Sequence, residues 1–317
     1  MIKAKQKPGQ IAPKNKWQRL GMRVWDYREL YLMLLPVIIY VFIFNYIPMY
    51  GIIIGFQDMK IGDPYGTSTW VGLYHFKMFF EGAFIEMILK NTLLITVIGM
   101  FLTIPCNLGL ALFLHNSNSK FIKKSVQTIS YIPNLLAVTI VIAILKLFVN
   151  AEGGLINIAL NAMGKETIDF MGENWATLPM YFISGIWAGT GAGAIIYLGA
   201  LAGVDEEMVE AARIDGASKL RIIWNIQLPS IKPTVVTMMI MNFGKVFAVG
   251  ADKLLLMQND LNLKSTEVIN TYVYKQGVVG ARYSFTTAVG LFSNVCNIVM
   301  LSIVNFIADK MTGMGIF

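Results

Sequence analysis

The sequence predicts an all-α, polytopic membrane protein with six transmembrane helices and a cytoplasmic helix–turn–helix between the fourth and fifth. Three observations carry that prediction. The 317-residue chain is 56% hydrophobic and only 14% charged, against about 25% charged residues in a typical soluble domain. Its apolar residues fall in blocks of the ~20 residues that cross a bilayer. Lys and Arg are dense in alternate connecting segments and sparse in the others, as the positive-inside rule requires.

The first element is a basic tail, residues 1–30. It carries Lys3, Lys5, Lys7, Lys14, Lys16, Arg19, Arg23 and Arg28 directly before the first apolar block. Such a tail anchors to anionic headgroups on the cytoplasmic face. The net charge of +7 therefore points to membrane and not to nucleic acid. The tail is too long for the n-region of a signal peptide, and the apolar stretch after it too long for an h-region, so no cleaved leader is expected.

Six apolar blocks follow at about 31–56, 88–114, 125–149, 178–202, 234–257 and 285–308. The first contains Pro36 and Pro48, which membrane helices tolerate when neighbours satisfy the freed carbonyls. Tail 1–30, segments 115–124 and 203–233, and the end of the chain hold sixteen Lys/Arg; segments 57–87, 150–177 and 258–284 hold six. Both termini and the 203–233 segment are thus expected in the cytoplasm, in a plan of tail 1–30, six-span transmembrane domain 31–308 and short tail 309–317. The external segments mix Gly, aromatic and acidic residues, as in Trp70-Val71-Gly72-Leu73-Tyr74. A surface facing an extracellular partner and an aromatic belt that sets depth explain Trp70 and Trp175 equally well. Cys106 and Cys296 both fall inside spans, which supports neither a disulfide nor a metal site.

The segment richest in signals is 204–233. Asp205 is suited to N-cap a helix whose first turn carries Glu206 and Glu207 against the helix dipole. Gly216 fits the left-handed position that ends it. Ser218 can cap a second helix with Leu220, Ile223, Trp224 and Ile226 on its apolar side, and Pro229 and Pro233 should stop that helix before the next span. Ala211, Ala212 and Ala217 are small enough for another protein to approach the backbone. An amphipathic helix lying on the membrane surface is an equally good physical reading.

The run Glu210-Ala211-Ala212, Gly216 and Ile226-Gln227-Leu228-Pro229 resembles the EAA motif of ABC-importer permeases, with three residues between Ala212 and Gly216 and nine between Gly216 and Ile226. Leu35-Pro36, Tyr46-Ile47-Pro48-Met49-Tyr50-Gly51, Trp70-Val71-Gly72-Leu73, Thr271-Tyr272-Val273-Tyr274 and Phe285 to Phe292 resemble the carbohydrate permeases linked to complex polysaccharide uptake. The resemblance covers nearly the whole chain after residue 28. It implies that Glu210, Ala211, Ala212, Asp215, Gly216, Ala217, Leu228 and Pro229 form the coupling element that docks in a cleft of a cytoplasmic ATPase. It further implies a second permease subunit, two ATPase subunits and an extracellular solute-binding lipoprotein that delivers an oligosaccharide. ATP and Mg would then belong to the ATPase chains, leaving this chain a non-catalytic subunit without a cofactor of its own. Consistently, the sequence has no G-x-x-x-x-G-K-[ST]; Gly244-Lys245 comes nearest, and Met239 and Val246 break the pattern. The run Gly189-Thr190-Gly191-Ala192-Gly193 lies inside a span, where close helix packing or a loosened helix explains it better than dinucleotide binding.

Polar groups inside spans are costly and point to function. Lys245 stands about twelve residues into the fifth block, and Asp252 follows seven later on the same helical face. Lining a substrate pathway and pairing with each other are both open for them. Tyr46, Tyr50, Trp187, Asn242 and Asn294 complete the expected pathway set, since sugars favour aromatic faces and planar amides. Asn45, Asn107, Asn134 and Asn297 are weaker candidates, better explained as helix-joining amides. His75 and His115 are isolated and take no catalytic role. Lys245 and Lys253 make an acidic, uronate-containing cargo conceivable. An ion-coupled secondary transporter is the rival class, but the inverted halves and paired intramembrane acids it needs are missing.

Overall fold

The computed structural model describes residues 24–64, 66–313 and 315. Seven of the eight basic residues of the expected tail, Lys3 to Arg23, lie outside the described residues, as do 314, 316 and 317. The chain divides into two compact units, Met1–Ile53 and Ile54–Phe317.

The described part of the N-terminal unit, from residue 24, is helical. Helix α1, Arg28–Val41, passes through a π-helical turn at Phe42–Tyr46 into Ile47–Met49. Pro48 has no N–H and its ring crowds the preceding turn; the wide turn, in which the Ile47 N–H reaches back to the Phe42 carbonyl, lets the helix continue past it. Every side chain from 24 to 50 is exposed. A helix apolar on all sides is suited to lipid or to other chains, not to water.

In the larger unit, a two-stranded antiparallel ribbon (β1, Gln57–Asp58; β2, Thr69–Trp70) and helix α2, Tyr74–Phe80, precede the long helix α3, Ile85–Asn116. Helices α4 (Lys120–Tyr131), α5 (Val138–Val149) and α6 (Leu155–Ala162) lead to the long α7, Asn174–Leu201. After α8 (Glu206–Ile214) and α9 (Lys219–Ile222), a π-helical turn at Ile223–Gln227 runs into α10, Leu228–Phe243. Short helices α11 (Ala251–Met257), α12 (Leu263–Thr266) and α13 (Ile269–Tyr274) precede the last long helix, α14, Tyr283–Thr312.

The all-α, polytopic class stands, and two of the six expected spans are broken within their length. Among the described residues, four helical stretches are long and apolar enough to cross a membrane: Arg28–Phe56, α3, α7 and α14. The block expected at 125–149 is two helices bent by 103°, because Pro133 starts a short 3-10 turn and Leu136 and Ala137 are extended. The block expected at 234–257 is also broken. Its first half ends at Phe243, residues 244–250 are non-helical, and α11 completes it. Gly244 and Gly250 flank that break.

Four buried clusters lie in this unit among the described residues, and two of them bear on the sites. One joins α3 and α7 to the 204–233 segment through Ala111, Tyr197, Leu201, Val209, Ile222 and Ile231. The other joins α2, α13 and α14 to the break after α10 through Phe79, Val246, Phe247, Ile269 and Phe285. The glycine run in α7 serves close packing: a Cβ on Gly191 would collide with the Ser130 carbonyl, and one on Gly193 with the Asn107 amide.

Candidate functional site

The 204–233 loop is built by local capping. The Asp205 carboxylate accepts the Glu207 N–H at 2.9 Å and the Ser218 hydroxyl accepts the Arg221 N–H at 3.3 Å. Helix α8 ends in a Schellman motif, with the Gly216 N–H donating to Arg213 O at 3.1 Å and the Ala217 N–H to Ala212 O at 2.9 Å. Gly216 supplies the left-handed residue the motif needs, φ +76°.

The loop has two faces. Val209 and Ile222 are buried, and Ala212, Ala217, Ile226 and Leu228 pack beside them on the α3–α7 core. Glu210, Ala211, Asp215, Gly216 and Pro229 are exposed. Two expectations need correction. The packing face of the second helix is Ile222, whereas Leu220 and Trp224 are 69% and 68% exposed. Pro229 and Pro233 do not stop the helix, because Pro229 falls in the first turn of α10 where no N–H is required, and the preceding π-helical turn joins the two helices. Of the three alanines, Ala211 is exposed, while Ala212 and Ala217 are half-buried. Glu210 and Arg213 also line a polar cavity of about 590 Å³ behind α8, which reaches Gln227 and the end of α3.

Farther along α3 and α10 lies a second chamber of about 350 Å³, lined by Thr96, Thr103, Tyr181, Asn242, Lys245 and Lys253 among others. The break after α10 delivers Lys245 to it. The backbone groups released by the break find side-chain partners on three other elements. Thr96 Oγ1 of α3 donates to Val246 O at 2.7 Å, Asn297 Oδ1 of α14 accepts the Phe247 N–H at 2.8 Å, and Asn270 Nδ2 of α13 donates to Val249 O at 2.7 Å. Non-helical backbone at membrane depth persists only when it is satisfied in this way. Lys245 and Asp252 therefore share no helical face. Among the described residues the ion pairs are Lys77–Glu81 and Lys275–Glu267, so the two do not neutralise each other.

Lys253, expected with Lys245 to suit an acidic cargo though outside the pathway set, also lines the chamber. Its Nζ donates to Tyr181 O at 2.5 Å and lies 4.3 Å from the centre of the Tyr181 ring. Gly185 leaves room for it, since a Cβ there would stand 3.1 Å from Nζ. No Asp or Glu lines the chamber among the described residues. Asn242 and Lys245 are brought together there. Trp187 lines a different cavity, of about 500 Å³, beside Pro105 and Ile129. Asn294 is exposed on α14, and Tyr46 and Tyr50 are exposed in the N-terminal unit.

Residues 107–313 match the family of binding-protein-dependent transport system inner membrane components. Protein LplB of Bacillus subtilis is 37% identical over 288 residues, 91% of this chain and 91% of its own length. The polygalacturonan/rhamnogalacturonan transport system permease protein YteP of the same species is 37% identical over 308 residues, 97% of this chain and 96% of its own length. In solved structures, a chain of a bacterial ABC transporter involved in import of the acidic polysaccharide alginate superposes with TM-score 0.85 at 31% identity, covering 93% of this chain and 99% of that one. A chain of the bacterial alginate ABC transporter, in complex with a periplasmic protein bound to alginate pentasaccharide, superposes with TM-score 0.86 at 30% identity, covering 94% and 100%.

Proposed function

This chain belongs to the binding-protein-dependent transport inner membrane family and is a permease of a sugar-importing ABC system, and from that premise we propose that it forms half of a pathway for acidic, polysaccharide-derived oligosaccharides. The observation that carries the cargo assignment is the chamber in which Lys245 and Lys253 face no lining carboxylate. Cations at membrane depth need solvent or a counter-charge, and a passing uronate supplies one. The relative named for polygalacturonan and rhamnogalacturonan and the alginate importers support the same chemistry. In this reading Glu210, Ala211, Ala212, Asp215, Gly216, Ala217, Leu228 and Pro229 couple the chain to two cytoplasmic ATPase subunits. ATP and Mg bind there, and this chain carries out no hydrolysis. The exposed Met208, Ile214, Leu220 and Trp224 support a docking role for this loop. A second permease subunit completes the pathway, an extracellular solute-binding lipoprotein delivers the sugar, and both termini face the cytoplasm.

The test uses the assembled transporter in proteoliposomes, with an oligogalacturonate and an uncharged oligosaccharide of equal length competing for uptake. A variant carrying Lys245→Gln and Lys253→Gln should assemble and lose about tenfold or more of its preference for the charged sugar, the scale of one lost charge-assisted contact. An assembled variant with unchanged preference would contradict the cargo assignment.

A further inference from the structure

The base of the 204–233 loop meets the end of α3 through a pair of side-chain amides. Gln227, at the last position of the π-helical turn, is 1% exposed. Its Nε2 donates to Asn116 Oδ1 at 2.9 Å, and Asn116 Nδ2 donates back to Gln227 Oε1 at 2.8 Å. Asn116 Nδ2 also donates to Leu112 O at 2.9 Å, which fixes the Asn116 amide to its own helix. Two opposed hydrogen bonds between planar amides set both the separation and the relative orientation of their carriers, whereas apolar contacts alone permit sliding. Separation is also costly, because it would leave the buried Gln227 amide without its Asn116 partner.

The position of the pair gives it a consequence for transport. Asn116 is the last residue of α3, and Gln227 directly precedes α10. The same two helices both line the chamber, where α3 contributes Thr96 and Thr103 and α10 contributes Asn242. Along α3, Thr103 lies thirteen residues from Asn116, about 20 Å at 1.5 Å per residue, so a single helix connects the amide pair to the chamber wall. We propose that the Asn116–Gln227 amide pair is the linkage through which movement of the 204–233 loop, already continuous with α10, reaches the other chamber-wall helix, α3. Both are positioning residues, and the inference rests on reading 204–233 as the ATPase-coupling loop.

The experiment compares three forms of the complete transporter in proteoliposomes: unmodified, Asn116→Leu with Gln227→Leu, and the exchange Asn116→Gln with Gln227→Asn. The readout is sugar taken up per ATP hydrolysed, with ATPase co-purification measured in parallel. The leucine pair keeps side-chain bulk and removes the hydrogen bonds. It should retain the ATPase and lose about fivefold or more in uptake per ATP, the low end of measured site-to-site couplings. The exchange, which restores an amide pair, should recover most of the loss. A leucine pair that couples like the unmodified complex would overturn the proposal, as would loss of ATPase binding in both variants, which would make the pair an assembly contact. An unmodified complex with no ATP-dependent uptake is a separate result that removes the coupling-loop reading itself.

Discussion

At Gly216 the backbone turns to φ +76°, and no heavy atom stands within 4 Å of where a Cβ would be. A side chain there meets open space, so its cost is conformational alone, about 1 kcal/mol. Asn visits the left-handed region more readily than Leu. Gly216→Asn should therefore keep ATPase docking and coupled uptake, while Gly216→Leu inserts in the membrane but lowers the yield of docked complex several-fold, measured by co-purification of the ATPase. Equal docking in the two variants would show that the turn does not set the loop's angle. Gly216 was legible in the sequence, as were the caps Asp205 and Ser218, because capping is decided within a few residues. The Asn116–Gln227 pair was not, since its partners lie 111 positions apart and an Asn at a helix end carries no local sign of a distant amide. Lys245 was legible as a residue out of place in an apolar block. Its partnering was not, because the same-face argument with Asp252 assumes a helix that ends at Phe243.

Each of the six apolar blocks contains helix, so composition placed the elements. Continuity was beyond it. The block at 125–149 bends at Pro133 and the block at 234–257 opens between two glycines, yet both remain apolar enough to read as unbroken. What allows the second break is tertiary: Thr96, Asn270 and Asn297 satisfy its backbone from three other elements. The glycine run in α7 gives a test at this scale. Gly191 lies against the backbone of Ser130, while Gly189 has no atom within 4 Å of a Cβ position. Backbone cannot retreat as a flexible side chain can. Gly191→Leu should destabilise the protein by about 1–3 kcal/mol, the usual cost of overpacking, and Gly189→Ala should be neutral or slightly stabilising. Thermal unfolding in detergent, followed by the loss of the monodisperse chromatographic peak, checks both. Equal midpoints for the two variants would remove close packing as the reason for the run.

For the whole molecule, two properties extend beyond the single chain. The helix from Arg28 to Tyr50 is apolar and exposed along its described length, and the chamber cations lack protein counter-charges among the described residues. Both accord with a chain that works inside a larger assembly, as the proposed second permease, ATPases and binding protein require. The asymmetry of sixteen Lys/Arg against six between the two sets of connecting segments accords with the proposed cytoplasmic placement of the 204–233 loop. Length, composition and motif spacing thus indicated the class of machine, whereas the chamber emerged only when residues from α3, α7, α10 and α11 were brought together in space.

In the proposed function, ATP hydrolysis acting through this loop drives sugar inward. The most direct measurement is uptake of a labelled oligogalacturonate by proteoliposomes containing the complete transporter and its binding protein, with ATP supplied only on the side of the 204–233 loop. Uptake should require ATP, stop when this chain is omitted, and be indifferent to sodium and proton gradients. Uptake that continues without ATP and follows an imposed ion gradient would contradict the account.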